Sequence, residues 1–303
     1  GENWRSQMTF LKYFNVTLAW RQVYCGIFEI VQNDVTYWFV DNEYYFKRWQ
    51  LYGHFDDCER YAYFSRAVLE ACGHLNFSPD VVHCNDWQTA LVPIYLLEER
   101  SRTPQLANTK SVYTIHNIEY QGRYGSQVLE DVIGLNPGYL SETMLGYYKD
   151  VNLMKGAIMA SNFVTTVSPS YAQELRIPFY AHGLHGVISQ QSGKVEGILN
   201  GIDAQLYDPA TLTGIESNFT PKTVTQGKAK CKAALQRAVG LNEDPNVPII
   251  GCISRLVGHK GFSLVTDALH RIMEMNVQMV VLGTGDWQYE AAFRDAQNQY
   301  PGR

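Results

Sequence analysis

Val247-Pro-Ile-Ile-Gly-Cys-Ile-Ser-Arg255-Leu-Val-Gly-His-Lys260-Gly261 runs from an apolar stretch, through two basic residues, into a helical pattern. A strand end, a short loop and a helix start leave unpaired backbone N–H groups and the positive end of the helix dipole facing one place, where anions collect. A guanidinium that can fork onto two oxygens, with an ammonium five residues later, suits this junction to a diphosphate. The competing reading is an Arg and a Lys solvated on a loop, and local sequence leaves both open. Further on, the series repeats: strands are expected near Ile249 to Ser254 and Val277 to Leu282, with helices near Gly261 to Met275 and Asp286 to Gln297.

Working back from this stretch, a first alternating series precedes it. Val81-Val82-His83-Cys84, Ser111-Val-Tyr-Thr-Ile115, Phe163-Val-Thr-Thr-Val167 and Val195-Glu-Gly-Ile-Leu199 are short apolar runs, each followed by polar or glycine residues and a helical segment. Such alternation predicts a parallel sheet covered on both faces. Ser168 suits a helix cap and Pro169 the first helical position. Upstream, Tyr24 to Val31 and Val35 to Val40, separated by Gln32-Asn33-Asp34, read as strand, turn, strand. From Phe55 the period becomes helical, with Gly73 as the expected stop. Asp208 to Thr225 is rich in Thr, Pro, Gly and Asn, so the domain junction is placed near Gly201. The expected domains are residues 1–200 and 201–303, two doubly wound α/β units with ligands meeting the carboxyl ends of both sheets in a cleft.

Composition narrows the function. A chain of 303 residues with 46% apolar content buries ample core. A net charge of −5 without an extended basic run argues against a nucleic-acid surface. No apolar stretch reaches the roughly 18 residues of a membrane span, and no signal peptide opens the sequence, so an intracellular protein without a membrane partner is expected. The six cysteines form no C-x-x-C pair and read as reduced structural thiols. The N-x-S/T triplets at Asn15, Asn76 and Asn218 matter only in a secreted protein. The chain opens at Gly1-Glu-Asn-Trp4 without Met and stops at Arg303 just past a helical pattern, so a piece of a longer protein is expected.

Polar residues at strand exits are the candidates for chemistry. His116 follows Ile115, Asp86 follows the run ending at Cys84, and Asn200 follows Leu199. Each has a plain alternative: a hydrogen-bonded structural His, an Asp capping a helix, an Asn-Gly tight turn. Gly283-Thr-Gly285-Asp286 follows a strand, and its glycines allow close approach of backbone to a ligand, although Asp286 can equally cap a helix. No G-x-G-x-x-G, phosphate-loop lysine motif, G-x-S-x-G or H-E-x-x-H occurs.

Six segments carry a family resemblance: His83-Cys-Asn-Asp86-Trp87, Thr114-Ile-His116-Asn117-Ile-Glu-Tyr120-Gln-Gly122, Thr166-Val-Ser-Pro169-Ser-Tyr171, Ile198-Leu-Asn200-Gly201-Ile-Asp203, Ser254-Arg255-Leu-Val-Gly-His-Lys260-Gly261 and Leu282-Gly-Thr-Gly-Asp286. In order and spacing they resemble bacterial glycogen synthases and plant starch synthases, from about Tyr37 to Arg303. The resemblance implies a GT-B glycosyltransferase of two Rossmann-like domains, both incomplete here. Residues 1–200 would form the acceptor-side domain and 201–303 the start of the nucleotide-sugar domain.

The implied reaction moves glucose from ADP-glucose to the non-reducing end of an α-1,4-glucan with retention of configuration. In that resemblance Arg255 and Lys260 match the diphosphate-binding pair and His116 the histidine contacting the transferring sugar. Asp86 lines the same pocket, Asn200 reaches it from the hinge, and Tyr52, Gly283 and Gly285 are further substrate-binding candidates. No D-x-D motif occurs and the family needs no metal, so neither a metal nor another cofactor is expected. The setting implied is the bacterial cytoplasm, or the plastid stroma of a plant. The sequence also departs from the family pattern. The K-T-G-G-L loop, the E-x7-E segment and the last nucleotide-contacting loops are missing, so the piece alone is expected to be inactive. His259 stands where many relatives carry Gln, and His185 replaces an acidic residue. The alternatives are another retaining GT-B transferase using a UDP-sugar, or a non-catalytic glucan-binding derivative.

Overall fold

The computed structural model describes residues 2–303; Gly1, where the first expected domain begins, lies outside the described residues. Contacts divide the chain into a unit ending at Asn200 and a unit from Gly201 to Arg303. The first unit opens with an antiparallel meander of β1 (Thr9–Leu18), β2 (Arg21–Gln32) and β3 (Val35–Asp41). Alternation builds β1: Phe14, Val16 and Leu18 are buried while Tyr13, Asn15 and Thr17 point outward. Both expected strands fall inside β2 and β3. Asn33 and Asp34 both take positive φ, 53° and 61°, which is the turn geometry that lets two twisted strands meet directly.

Helix α1 (Asp57–His74) buries Ala62, Leu69 and Cys72 in the core and ties to the meander through Tyr63 OH, which donates to Tyr24 O at 2.7 Å. Gly73, expected to stop it, lies within the helix. The end comes at Asn76, whose φ of 51° closes two bonds: Asn76 N to Gly73 O at 3.2 Å and Phe77 N to Cys72 O at 2.8 Å. That pair satisfies the last carbonyls, with Asn in the left-handed position more often held by glycine. Four parallel strands follow, β4 (Val81–Asn85), β5 (Lys110–Ile115), β6 (Phe163–Thr166) and β7 (Val195–Gly197), in the order β7-β6-β5-β4. Helix α2 (Leu91–Glu99) links β4 to β5, α3 (Leu153–Ala160) precedes β6 and α4 (Pro169–Glu174) follows it. Ser168 caps α4 by accepting from Tyr171 N, with Pro169 first in the helix. Between β5 and α3 lies a small antiparallel sheet of Arg123–Gly125, Gly146–Tyr147 and Asp150–Asn152, whose strands are too short to show alternation in the sequence.

One half-buried group on α1 makes the first unit sensitive to pH. Burial pushes the Glu70 carboxyl up to about 7; Arg66 opposes the rise and Glu99 adds to it. An unfolded carboxyl near its ordinary value of 4.5 gives up its proton earlier, so between those values the folded chain binds more protons. Stability from this group therefore falls as pH rises through that window, and the loss is complete above it. Glu70→Gln is neutral throughout. Its Tm should rise relative to the parent between about pH 5 and about pH 8 in thermal unfolding, whereas a constant difference would reject the assignment.

The second unit contains α5 (Val224–Ala238), β8 (Ile249–Ile253), α6 (Phe262–Glu274), β9 (Gln278–Leu282) and α7 (Trp287–Gln299). Strands β8 and β9 pair in parallel, with Ile249 opposite Gln278 and Ile253 opposite Leu282. Both strands and both flanking helices lie within two residues of the expected bounds. Helix α5 is not expected from the sequence, since only Gly227 and Gln236 of its residues are buried and it shows no continuous apolar stripe. Leu256, Phe262 and Tyr289 form the small core of this unit, with Phe293 packed 5.9 Å from Phe262. Among the described residues no helix is long and apolar enough to cross a membrane.

Candidate functional site

In the first unit, the carboxyl ends of β4 and β5 bring Asn85, Asp86 and His116 together. Asn85 pairs in register with Thr114, so the residues just past each strand are neighbours. Asp86 takes φ 55°, a left-handed conformation unusual for a residue with a side chain. Two bonds hold it there: its N donates to Thr114 O at 3.0 Å, and its Oδ1 accepts from His116 N at 2.8 Å. Asp86 occupies the cap position of the Trp87–Thr89 turn without capping it through its side chain. The helix-cap alternative therefore fails, and the carboxylate instead fixes the His116 backbone. The imidazole is exposed, with Nε2 3.0 Å from Asn85 Oδ1.

The loop after His116 is braced from below. Ile118 N donates to Tyr171 OH at 3.2 Å, and Gln121 Nε2 donates to Ile118 O at 3.1 Å and to His182 O at 3.0 Å. Asn152 Nδ2 completes the chain by donating to Gln121 Oε1 at 2.7 Å. Beneath the strand ends, His83 Nε2 lies 2.6 Å from Thr114 Oγ1, which is 2.6 Å from Thr165 Oγ1, so polar side chains tie three strands together. Asn85, Tyr171 and Gln121 stood inside the quoted motifs without an assigned role. For Asn85 the position at a strand end was the available signal; Tyr171, inside α4, and Gln121 had none.

Tyr52 is half exposed on a loop fastened to the first turn of α1. Gly53 N donates to Asp57 Oδ2 at 2.6 Å, and Tyr61 OH donates to Leu51 O at 2.6 Å. Tyr61 in turn meets Trp87 edge-on at 5.0 Å, which sets this loop beside the Asp86–Trp87 turn. Asn200 is exposed and is the last residue of the first unit, on no regular element.

The second unit holds the basic pair. Arg255 lies just beyond β8 and Lys260 ends the Gly258–Lys260 turn, directly before Gly261 at the start of α6. Gly261 has φ 78° and no side chain to cap the helix, leaving the first amide groups of α6 without an intrahelical partner. Both basic side chains are exposed, and neither has an ion-pair partner among the described residues. Glu290, on α7, accepts from Gly285 N at 3.0 Å and Arg294 Nη2 at 2.8 Å.

Gly283 and Gly285 explain how Arg255 is presented. Their close neighbour is the chain itself: an added Cβ would overlap the carbonyl oxygen of Ser254 at Gly283 and that of Leu256 at Gly285. Ser254 N donates to Leu282 O at 3.1 Å, Leu256 N to Thr284 O at 2.9 Å and Asp286 N to Leu256 O at 2.8 Å. This ladder sends Leu256 into the core, where it is 3% exposed, and turns the intervening Arg255 outward. The structure shows these glycines approaching the basic loop closely. Gly285→Ala should displace that loop, costing roughly 1–3 kcal/mol as overpacking does. Thermal unfolding checks this, and an unchanged Tm would show that the loop moves freely.

Residues 2–190 match the family model described as the starch synthase catalytic domain. The chain is 42% identical over 299 residues to a glycogen synthase of Alkaliphilus metalliredigens, covering 99% of this chain and 63% of the relative. It is also 42% identical over 300 residues to a glycogen synthase of Geobacillus stearothermophilus, covering 99% and 62%. Among solved structures, the catalytic domain of starch synthase IV from Arabidopsis thaliana bound to ADP and acarbose superposes with a TM-score of 0.90 at 33% identity, covering 98% of this chain and 62% of that one. The chain therefore spans less than two thirds of the length of these relatives.

Proposed function

Since this chain belongs to the glycogen synthase and starch synthase family and has the α/β fold of a GT-B glycosyltransferase, we propose that the full-length protein transfers glucose from ADP-glucose to the non-reducing end of an α-1,4-glucan with retention. The observation that carries this reading is the pair of unneutralised cations, Arg255 and Lys260, between a strand end and an uncapped helix start. Departure of a nucleoside diphosphate concentrates negative charge on the leaving phosphate. Fixed cations lower that barrier most when they need not reorganise as the bond breaks. Arg255 forks onto the phosphate oxygens, Lys260 supplies a second charge, and the helix amides add donors.

In this reading the protein's own cations take the place of a metal. His116 contacts the transferring glucose, held there by Asp86 through its backbone. Tyr52 and Asn200 contribute to substrate binding, whereas Gly283 and Gly285 act by shaping the basic loop. ADP as the nucleotide is supported by the ligand named for the Arabidopsis relative. The bacterial relatives support a cytoplasmic setting. The test is glucan elongation by the full-length protein with labelled ADP-glucose or UDP-glucose. Incorporation from ADP-glucose into α-linked chain ends supports the proposal, while incorporation from UDP-glucose alone, or none, overturns it.

A further inference from the structure

Asn85 is the last residue of β4, and its backbone is fixed independently of its side chain. Asn85 N donates to Thr89 Oγ1 at 2.6 Å, and Thr89 Oγ1 donates back to Asn85 O at 2.8 Å. Among the described residues the side chain bonds to one neighbour, with Oδ1 3.0 Å from Nε2 of His116. The main chain of His116 is held separately by Asp86 Oδ1. Two consecutive residues at the end of one strand therefore restrain the backbone and the ring of the first residue beyond the next.

We propose that Asn85 is a positioning residue that sets the tautomer of His116. A neutral imidazole carries one proton, and an amide oxygen can only accept. With Oδ1 facing Nε2, the proton sits on Nε2 and Nδ1 is left bare as an acceptor. The exposed ring therefore offers a hydrogen-bond acceptor to a hydroxyl-bearing ligand, in a direction fixed by Asn85 and the Asp86 tie. That the hydroxyl belongs to the transferring sugar rests on the function proposed above, but the tautomer does not. Asn85 acts only through His116 and makes no claim on the reacting atoms. If the amide were turned the other way, its NH2 would face Nε2 and the opposite tautomer would follow, so the proton position reports the contact directly.

The experiment is long-range proton–nitrogen correlation NMR on the chain labelled with 15N-histidine, above the pH at which the imidazoles are charged. The chain has eight histidines, and His116→Gln identifies the His116 signals by their loss. The parent protein should show the Nε2–H pattern at His116, and Asn85→Ala a mixture of both tautomers with the other seven histidines unmoved, which also shows that the fold survives. An Nδ1–H pattern in the parent overturns the proposal, as does an unchanged Nε2–H pattern in Asn85→Ala. Because the parent spectrum alone can refute it, a poorly folded variant does not shield the proposal. In the full-length protein, Asn85→Ala should lower kcat roughly three- to tenfold with little change in KM, in line with a net hydrogen-bond contribution of about 0.5–1.5 kcal/mol. If the tautomer shifts as expected while kcat holds, the sugar-contact role of His116 falls and the tautomer assignment stands.

Discussion

Replacing Arg255 by Ala in the full-length protein should lower kcat/KM for ADP-glucose by about ten- to several-hundred-fold. The charge-assisted contact removed is worth roughly 1.5–3 kcal/mol, and more where the phosphate oxygens are left without a partner. The side chain makes no ion pair within the described residues, so its loss leaves no uncompensated acid behind. Leu256 and the backbone ladder to Leu282, Thr284 and Asp286 hold the loop without help from the guanidinium, so Tm should stay put. Arg255→Lys should recover only part of the activity, since an ammonium cannot fork onto two oxygens. Steady-state kinetics beside thermal unfolding separates these outcomes. Unchanged kinetics would remove Arg255 from the reaction, and a fall in Tm matching the activity loss would make its role structural.

The second large effect is expected at His116. His116→Ala should reduce kcat on the order of 10- to 100-fold with a smaller change in KM, because a contact at the reacting sugar strengthens as the bond breaks. The imidazole is exposed and, among the described residues, its ring bonds to Asn85 alone, while the backbone tie to Asp86 survives the substitution. The fold should therefore persist. A raised KM with an unchanged kcat would instead make His116 a ground-state sugar contact. Asp86→Asn offers a contrast, since an amide oxygen can still accept from His116 N and should preserve much of the activity. Asp86→Ala frees a strained backbone position and should lose more.

How far these assignments were legible in the sequence differs from residue to residue. Strands β8 and β9 were readable because each is a short apolar run closed by glycine or polar residues, and the basic pair stood at the exit of the first. That Arg255 and Lys260 have no ion-pair partner among the described residues could not be read, because it depends on where acids distant in sequence are brought by the fold. Asp86 was legible as a functional candidate but not as the anchor of His116, a contact across 30 residues made possible by strand pairing. Gly283 and Gly285 were legible as positions of close approach, while their packing against the carbonyls of Ser254 and Leu256 depends on strand pairing and could not be read. Gly73 misled because glycine commonly ends helices, whereas here Asn76 adopts the left-handed turn. Helix α5 was missed because a mostly solvated helix carries too few buried residues to produce a periodic signal.

The most direct measurement is a crystal structure of the full-length protein with ADP bound. The account predicts phosphate oxygens within hydrogen-bonding distance of the Arg255 guanidinium and the Lys260 ammonium, close to the first amides of the helix beginning at Phe262. A nucleotide bound elsewhere, with both side chains left in solvent, would contradict it.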